Sequence, residues 1–397
     1  MCKHNETCSV PPMGTAVAFQ LFRLYPFVFA LLALWRFALP LRLPLKWRLA
    51  LALPLAAGCL NTYVYVLTGG TVMDPGLTRR PSICVHALGF SSLALVVLTL
   101  LRDLVNLLYR ILKFSRSALL IPPGSLIAGA LILACSLTFG IRGTLNGFAV
   151  PELAEYTVRL KNLPEAADGY TVVLLADTHI SAPISRGEIE LFTRLSNSAG
   201  PDLVVFAGDF VDGPVSALKE KVEPLFKLTA RDGLYAVSGN HEFYSGYREW
   251  LSFLTRGGFT FLENKSVIIR DPAGTALFNL AGVSDRNALR FNAPGPDFDR
   301  ALARTDPVLP IIILCHQPVE AYRVLGQADL FLAGHTHGGH APIVRQLIAA
   351  ANHGLVSGLY DLGRLQVLVT NGTREWMGFP LRILTPPQIV KITLRRG

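Results

Sequence analysis

The apolar positions of this 397-residue chain follow two patterns that meet near residue 150. Before that point they form long unbroken runs. Four of these reach roughly 20 residues, the length a helix needs to cross a bilayer; they cover residues 14–35, 49–68, 83–101 and 118–141. Beyond residue 150 the runs shorten to three to five residues: 171–175 (TVVLL), 203–206 (LVVF), 234–237 (LYAV), 311–314 (IIIL) and 330–332 (LFL). Continuous apolar runs this short suit strands buried on both faces. Stretches with helical periodicity, 186–198 and 215–228, lie between some of them. Strands alternating with helices predict a layered α/β fold. The expected organisation is a transmembrane helical anchor region over 1–150, with about four spans, followed by an α/β domain over 151–397.

Charge sharpens this division. The first 150 residues hold 13 Lys and Arg against 3 Asp and Glu, and the remainder 24 against 25. The basic pI of about 9.4 therefore belongs to the N-terminal part. A near-neutral second part lacks the basic footprint of a nucleic-acid-binding domain. In the first part the basic residues sit between the apolar runs. Arg36, Arg42, Lys46 and Arg48 lie between the first two, and Arg102, Arg110, Lys113 and Arg116 between the last two. The middle loop has Arg79 and Arg80 with Asp74. The positive-inside rule puts the two more basic loops in the cytoplasm, and four spans then put the α/β domain outside it. Arg23 and Pro26 make the first segment the weakest of the four, and the side assigned to the domain depends on that count. Three further spans and the lack of a small-residue cleavage site argue against a cleaved signal peptide. His86 is the only histidine in a span, and a polar residue near a helix end accounts for it better than a proton relay. The six cysteines include no C-x-x-C pair, so neither a disulfide framework nor a Cys-based zinc site is expected. Cys315 reads as a buried strand residue.

The short apolar runs end in polar residues of one chemical kind. The first leads into Asp177 and His179 (D-T-H) and the second into Asp209 and Asp212 (G-D-F-V-D-G). The third leads into Asn240 and His241 (G-N-H-E), the fourth into His316, and the fifth into His335 and His337 (G-H-T-H-G-G). Five of the nine histidines lie in these motifs. Imidazole nitrogen and carboxylate oxygen are ligands for divalent transition metals. These positions are too many for one four-coordinate ion and suit two ions sharing a carboxylate. Ligand sites in α/β folds form where strands end, so motifs at five strand ends would converge on one rim. Asp212 reads equally well as a residue orienting a ligand or as the cap of the following helix.

The ordered series D-x-H, G-D-x-x-D, G-N-H-E, H and G-H-x-H over residues 171–394 resembles the calcineurin-like metallophosphoesterase superfamily. The later pieces G-H-T-H-G-G, V-S-G-L-Y (356–360) and G-F-P-L-R-I (378–383) resemble a membrane-associated, bacterial-type branch of it. The resemblance implies a β-sandwich-type α/β domain holding two metal ions. It implies Asp177, His179 and His337 on the first ion, Asn240, His316 and His335 on the second, and Asp209 bridging both. It also implies that His241 is a catalytic residue, protonating the leaving group or bonding a phosphate oxygen, while a metal-activated hydroxide attacks phosphorus. His340 departs from that branch, where Gln is expected, and reads as a solvated loop residue in preference to a substrate contact.

The reading is a membrane-anchored phosphohydrolase acting on phosphodiesters or phosphomonoesters, with Mn, Fe or Zn as the metals. The anchor favours a substrate at the membrane surface or linked to lipid. A pyrophosphohydrolase of a nucleotide-linked lipid precursor is an alternative that requires a cytoplasmic domain. A phosphate-binding membrane receptor without activity is another, and a nuclease a third. No protein partner is inferred.

Overall fold

The computed structural model describes residues 24–71, 74–114, 117 and 119–397. By packing, the chain forms two units. One takes the chain as far as Val64 together with Val85–Ile141; the other takes Tyr65–Cys84 and Arg142–Gly397. The boundary by packing is therefore not a single cut at residue 150, because the segment Tyr65–Cys84 is bound into the second unit. There Asp74 Oδ2 accepts a hydrogen bond from Ala182 N at 3.0 Å, and Arg79 donates to Phe148 O at 3.0 Å and pairs with Glu188.

Two helices are each long and apolar enough to cross a membrane, Arg79–Leu112 and Leu126–Gly147. Leu45–Cys59 and Asn61–Leu67 meet that condition only as a pair and are bent by 64° where they join. The described residues thus hold two or three spans where the hydropathy pattern predicts four. The first predicted span begins outside the described residues, as do Cys2 and Cys8. Its described part is the helix Leu24–Ala38, which ends in a π-helical turn over Ala33–Ala38. The fourth span lies further along the chain than expected. Pro122, Pro123 and Gly124 oppose an α-helix there, so the helix begins at Leu126 and takes in Arg142 and Gly147.

The second unit is a double sheet. One six-stranded sheet has the order β1 (Glu152–Leu160), β12 (Gln388–Arg396), β2 (Thr171–Leu175), β3 (Leu203–Ala207), β4 (Leu234–Val237), β5 (Phe259–Phe261). The other six-stranded sheet runs β10 (Gly358–Leu362), β11 (Leu365–Val369), β9 (Leu330–Ala333), β8 (Ile311–Leu314), β7 (Ala276–Gly282), β6 (Lys265–Arg270). β2, β3 and β4 are parallel neighbours, and so are β7, β8 and β9. Alternate side chains of each central strand serve different cores. Val172 and Leu174 join Ile312 and Leu314 between the sheets. Val173 and Leu175 pack outward with Phe192, Leu218 and Trp250 of the covering helices, while Ile311 and Ile313 pack outward with Phe298 and Ala321. Burial on both faces is why these strands read as unbroken apolar runs. Cys315 lies one residue past β8, buried and free.

Candidate metal centre

Five strands deliver the motif residues to one place. Asp177 follows β2, Asp209 follows β3, Asn240 follows β4, His316 follows β8 and His335 follows β9. The loops are tied to one another. Asp177 N donates to Gly208 O at 3.0 Å, and His335 N donates to Asp177 Oδ2 at 3.0 Å. His241 N donates to Asp209 Oδ1 at 2.8 Å. Such tight reversals need unusual backbone. Asp177, His179, Asp209, His335, His337 and His340 all have positive φ, between 40° and 72°. Non-glycine residues adopt that region at a cost, and such positions gather at functional sites. Close approach also demands glycine: a Cβ on Gly239 would lie 2.1 Å from Asp209 Oδ1.

Asp177, His179 and His337 offer ligand atoms that all lie within 4.8 Å of one another, and so do Asp209, His316 and His335. A third such group, His179, Asp212 and His241, shares His179 with the first. His179 Nε2 and His337 Nε2 are 3.2 Å apart. His316 Nε2 is 3.1 Å from each of Asn240 Oδ1, Asp209 Oδ2 and His335 Nδ1. Two ligand atoms about 2.1 Å from one cation stand roughly 3.0–3.4 Å apart, so the donor set fits two metal ions.

Four of the imidazoles are oriented from behind, which fixes the nitrogen each offers. His316 Nδ1 lies 2.7 Å from Ala207 O, a carbonyl that can only accept. His337 Nδ1 lies 3.2 Å from Arg374 O and 3.1 Å from the Glu375 carboxylate. Asp212 serves two rings, approaching His179 Nδ1 at 3.1 Å and contacting His241 Nδ1. That leaves His241 Nε2 facing Asp209 Oδ2 at 3.9 Å. Of the two readings open for Asp212, the structure therefore places it on the histidines.

The electrostatics match a site for cations. Burial opposes charge on His179, but Asp212, and then Asp209 and Asp177, outweigh it and raise its pKa to about 9. His316 is raised to about 10 against burial, chiefly by Asp209. Burial pushes His335 down to about 3, helped by the charge of His316. The carboxylates thus draw protons onto two imidazoles where bound metal would supply positive charge.

Three supporting residues have no role in the sequence reading. Glu242 is fully buried and accepts from Asp209 N at 3.0 Å, Phe210 N at 2.7 Å and Gly239 N at 2.7 Å. It clamps two of the motif loops together. Three residues after Gly239, it supplies the glutamate half of a capping box by accepting from the N-cap N–H, a spacing present in the sequence. Glu375 and Arg382, both buried, pair at 3.0 Å behind His337. His340 is not the solvated residue expected. It is 9% exposed and stacks on His337 with ring centres 5.2 Å apart. Asp285 caps the 3₁₀ turn Arg286–Phe291 and accepts from Gln317 at 2.9 Å, beside His316.

A buried His/Asp donor set at the strand ends of a double sheet marks a metal-dependent phosphoesterase. The calcineurin-like phosphoesterase profile matches residues 170–339. A Danio rerio relative described as a transmembrane protein with metallophosphoesterase domain is 32% identical over 324 residues, 78% of this chain and 74% of its own. The chain belongs to the calcineurin-like metallophosphoesterase family. A bovine relative of the same description is 30% identical over 67% of this chain and 62% of its own length. A Helicobacter pylori metallophosphoesterase is 33% identical over 64% and 66% respectively. Among solved structures, a dimetal phosphatase from Danio rerio aligns with a TM-score of 0.35 and 15% identity, over 52% of this chain and 88% of that one. Two helices long and apolar enough to cross a membrane, together with relatives described as transmembrane proteins, suggest a membrane protein.

Proposed function

We propose that the chain is a membrane-anchored phosphohydrolase of phosphodiesters or phosphomonoesters at a membrane surface or on a lipid. The observation that carries this reading is the convergence of two donor groups, Asp177, His179 and His337 in one and Asp209, His316 and His335 in the other, with Asp209 Oδ2 3.7 Å from His179 Nε2 of the first group. In it, Asp177, His179 and His337 hold one metal, Asn240, His316 and His335 the other, and Asp209 belongs to both. Two bound cations would neutralise phosphoryl oxygens and lower the pKa of a shared water. Asn240 contributes a neutral oxygen, which limits the negative charge facing an anionic substrate. His241 is held by Asp212 at Nδ1, so its Nε2 is free to give a proton to the leaving oxygen or to bond a phosphate oxygen. Its ring stands beside Tyr244 and Trp376, with centres 5.3 and 5.9 Å away. These aromatic walls restrict water around the proton transfer. Residues 1–150 serve as the membrane region and 151–397 as the catalytic region, with Tyr65–Cys84 as a membrane-side strap on the latter. The metal is Mn, Fe or Zn, all of which accept this donor set.

The test is turnover of an aryl phosphodiester, an aryl phosphomonoester and a lipid-extract panel by metal-reconstituted protein. Metal-dependent turnover is expected, with His241→Ala and Asp209→Asn each lowering kcat by about 10²–10⁴-fold. Full activity in either variant would remove that residue from the mechanism.

A further inference from the structure

The helix Pro342–Ala351 begins two residues beyond His340 and buries none of its ten residues. Its exposed positions are Pro342, Ile343, Gln346, Leu347, Ala350 and Ala351. They recur at i, i+4 and i+8, with an adjacent row one residue on, so they form one face. Only Gln346 on that face is polar. Ile343 is 78% exposed and Leu347 71%, and Leu384 nearby in the same unit is 86% exposed. The helix's one charged side chain, Arg345, turns inward and donates to Gly338 O at 3.0 Å. A helix facing water carries its charges outward and its apolar residues inward. This helix does the reverse.

Its neighbours in the second unit say what covers it. The helix Leu126–Gly147 ends in that unit, and its last turns hold the loop around Arg382. Arg382 N donates to Gly143 O at 3.0 Å, and Asn146 Nδ2 donates to Arg382 O at 3.1 Å. A Cβ on Gly147 would lie 2.6 Å from Pro380 O, so the two backbones touch. On the other side of the same loop, Ile383 N donates to His340 O at 2.7 Å. Two backbone hydrogen bonds and one residue therefore join the exit of a span to the start of the apolar helix, a path on the order of 10 Å. The headgroup zone on each side of a bilayer is about 5–8 Å deep. The exposed apolar face is continuous with the place where the chain leaves the membrane.

We propose that Pro342–Ala351 is an interfacial helix whose Ile343–Leu347 face lies in the lipid headgroup and acyl boundary. Burial of such a face in lipid removes its apolar surface from water. Because the helix follows directly on His335, His337 and His340, it fixes the candidate metal centre at the level of the lipid headgroups. The inference concerns lipid contact and stands whether or not the chain hydrolyses a lipid.

The full-length protein, reconstituted in phosphatidylethanolamine/phosphatidylglycerol vesicles, tests it directly. The photoreactive residue p-benzoylphenylalanine replaces Ile343 or Leu347, and, as references, Leu131 in the span and Val308. Leu131 is 62% exposed and Val308 73% exposed, so both labels are free to react. Expected are lipid adducts at Ile343 and Leu347 in yield comparable to that at Leu131, with little at Val308. Adducts at Ile343 and Leu347 no stronger than at Val308 would overturn the proposal. Cross-links to a second copy of the chain in place of lipid would overturn it equally. Metal-dependent turnover of a soluble aryl ester, measured on the same vesicles, reports separately on catalysis.

Discussion

Asp212 holds two imidazoles at once, and that makes it the most informative single position outside the donor set. By taking Nδ1 of both His179 and His241, it leaves the Nε2 of each ring toward the metal centre. An amide in its place accepts through one oxygen only and carries no charge to hold an imidazolium. Asp212→Asn is expected to lower kcat and metal affinity by about 10–100-fold each. Metal titration alongside steady-state turnover checks this, and a variant that kept both would reduce Asp212 to a loop residue. The donors themselves are legible in the sequence because each stands at the end of a short apolar run. The roles of Glu242, Glu375 and Arg382 are not. Glu242 acts on backbone groups more than thirty residues away at Asp209 and Phe210, and Glu375 reaches His337 across a similar separation. No local pattern encodes a partner that only the folded loops bring near.

The helix Arg186–Ser198 begins and ends where its periodicity predicts. Ser185 and Glu188 form a capping box at its start, so the local signal and the tertiary structure agree. The stretch 215–228 splits instead into an α-helix, Val215–Val222, and a 3₁₀ turn, Glu223–Lys227, because Pro224 cannot donate to a continuing helix. Of the twelve strands among the described residues, the five central ones that carry motifs are visible as apolar runs, whereas β6 and β10 are half-exposed and mixed in composition. Their strand state comes from pairing with a neighbour, not from their own residues. Glu188 has a second task, since it also pairs with buried Arg374 and with Arg79. Burial pushes its carboxyl up, but the charges of Arg374 and Arg79 and the bonds from Ser185 outweigh this and hold it below the usual range. A folded-state pKa below the unfolded one stabilises the fold above about pH 4.3, and that stability is lost as pH falls through the folded value. Glu188→Gln is expected to cost on the order of 3 kcal/mol at pH 7, because it leaves Arg374 buried without its partner. The gap in thermal midpoint between wild type and variant, measured in detergent, should narrow below pH 4. A gap constant with pH would rule out the ion pair as its source.

The side of the membrane on which catalysis occurs turns on the loops beside the spans. Counting spans from the sequence leaves it dependent on the first segment. The packing of Tyr65–Cys84 onto the second unit supports a route free of that count. If Arg79–Leu112 and Leu126–Gly147 each cross once, the segment preceding the first and the domain following the second share a side, and the basic stretch with Arg110 and Lys113 takes the other. With that stretch cytoplasmic, the proposal places the metal centre outside the cytoplasm. In a bacterial host, an alkaline phosphatase fused after Gly397 is expected to be active and a GFP fused there dark. The opposite pair of results would put the domain in the cytoplasm. The alternation of apolar runs with polar motifs was enough to predict a metal-binding α/β domain and an N-terminal part of long apolar helices, because burial on both faces of a strand and suitability for lipid both write themselves into local hydropathy. The length and bend of each span, the clamping of the loops by Asp212 and Glu242, and the capture of Tyr65–Cys84 depend on contacts between distant residues. Those contacts form only when segments distant in sequence pack together, and no stretch of the chain records them alone.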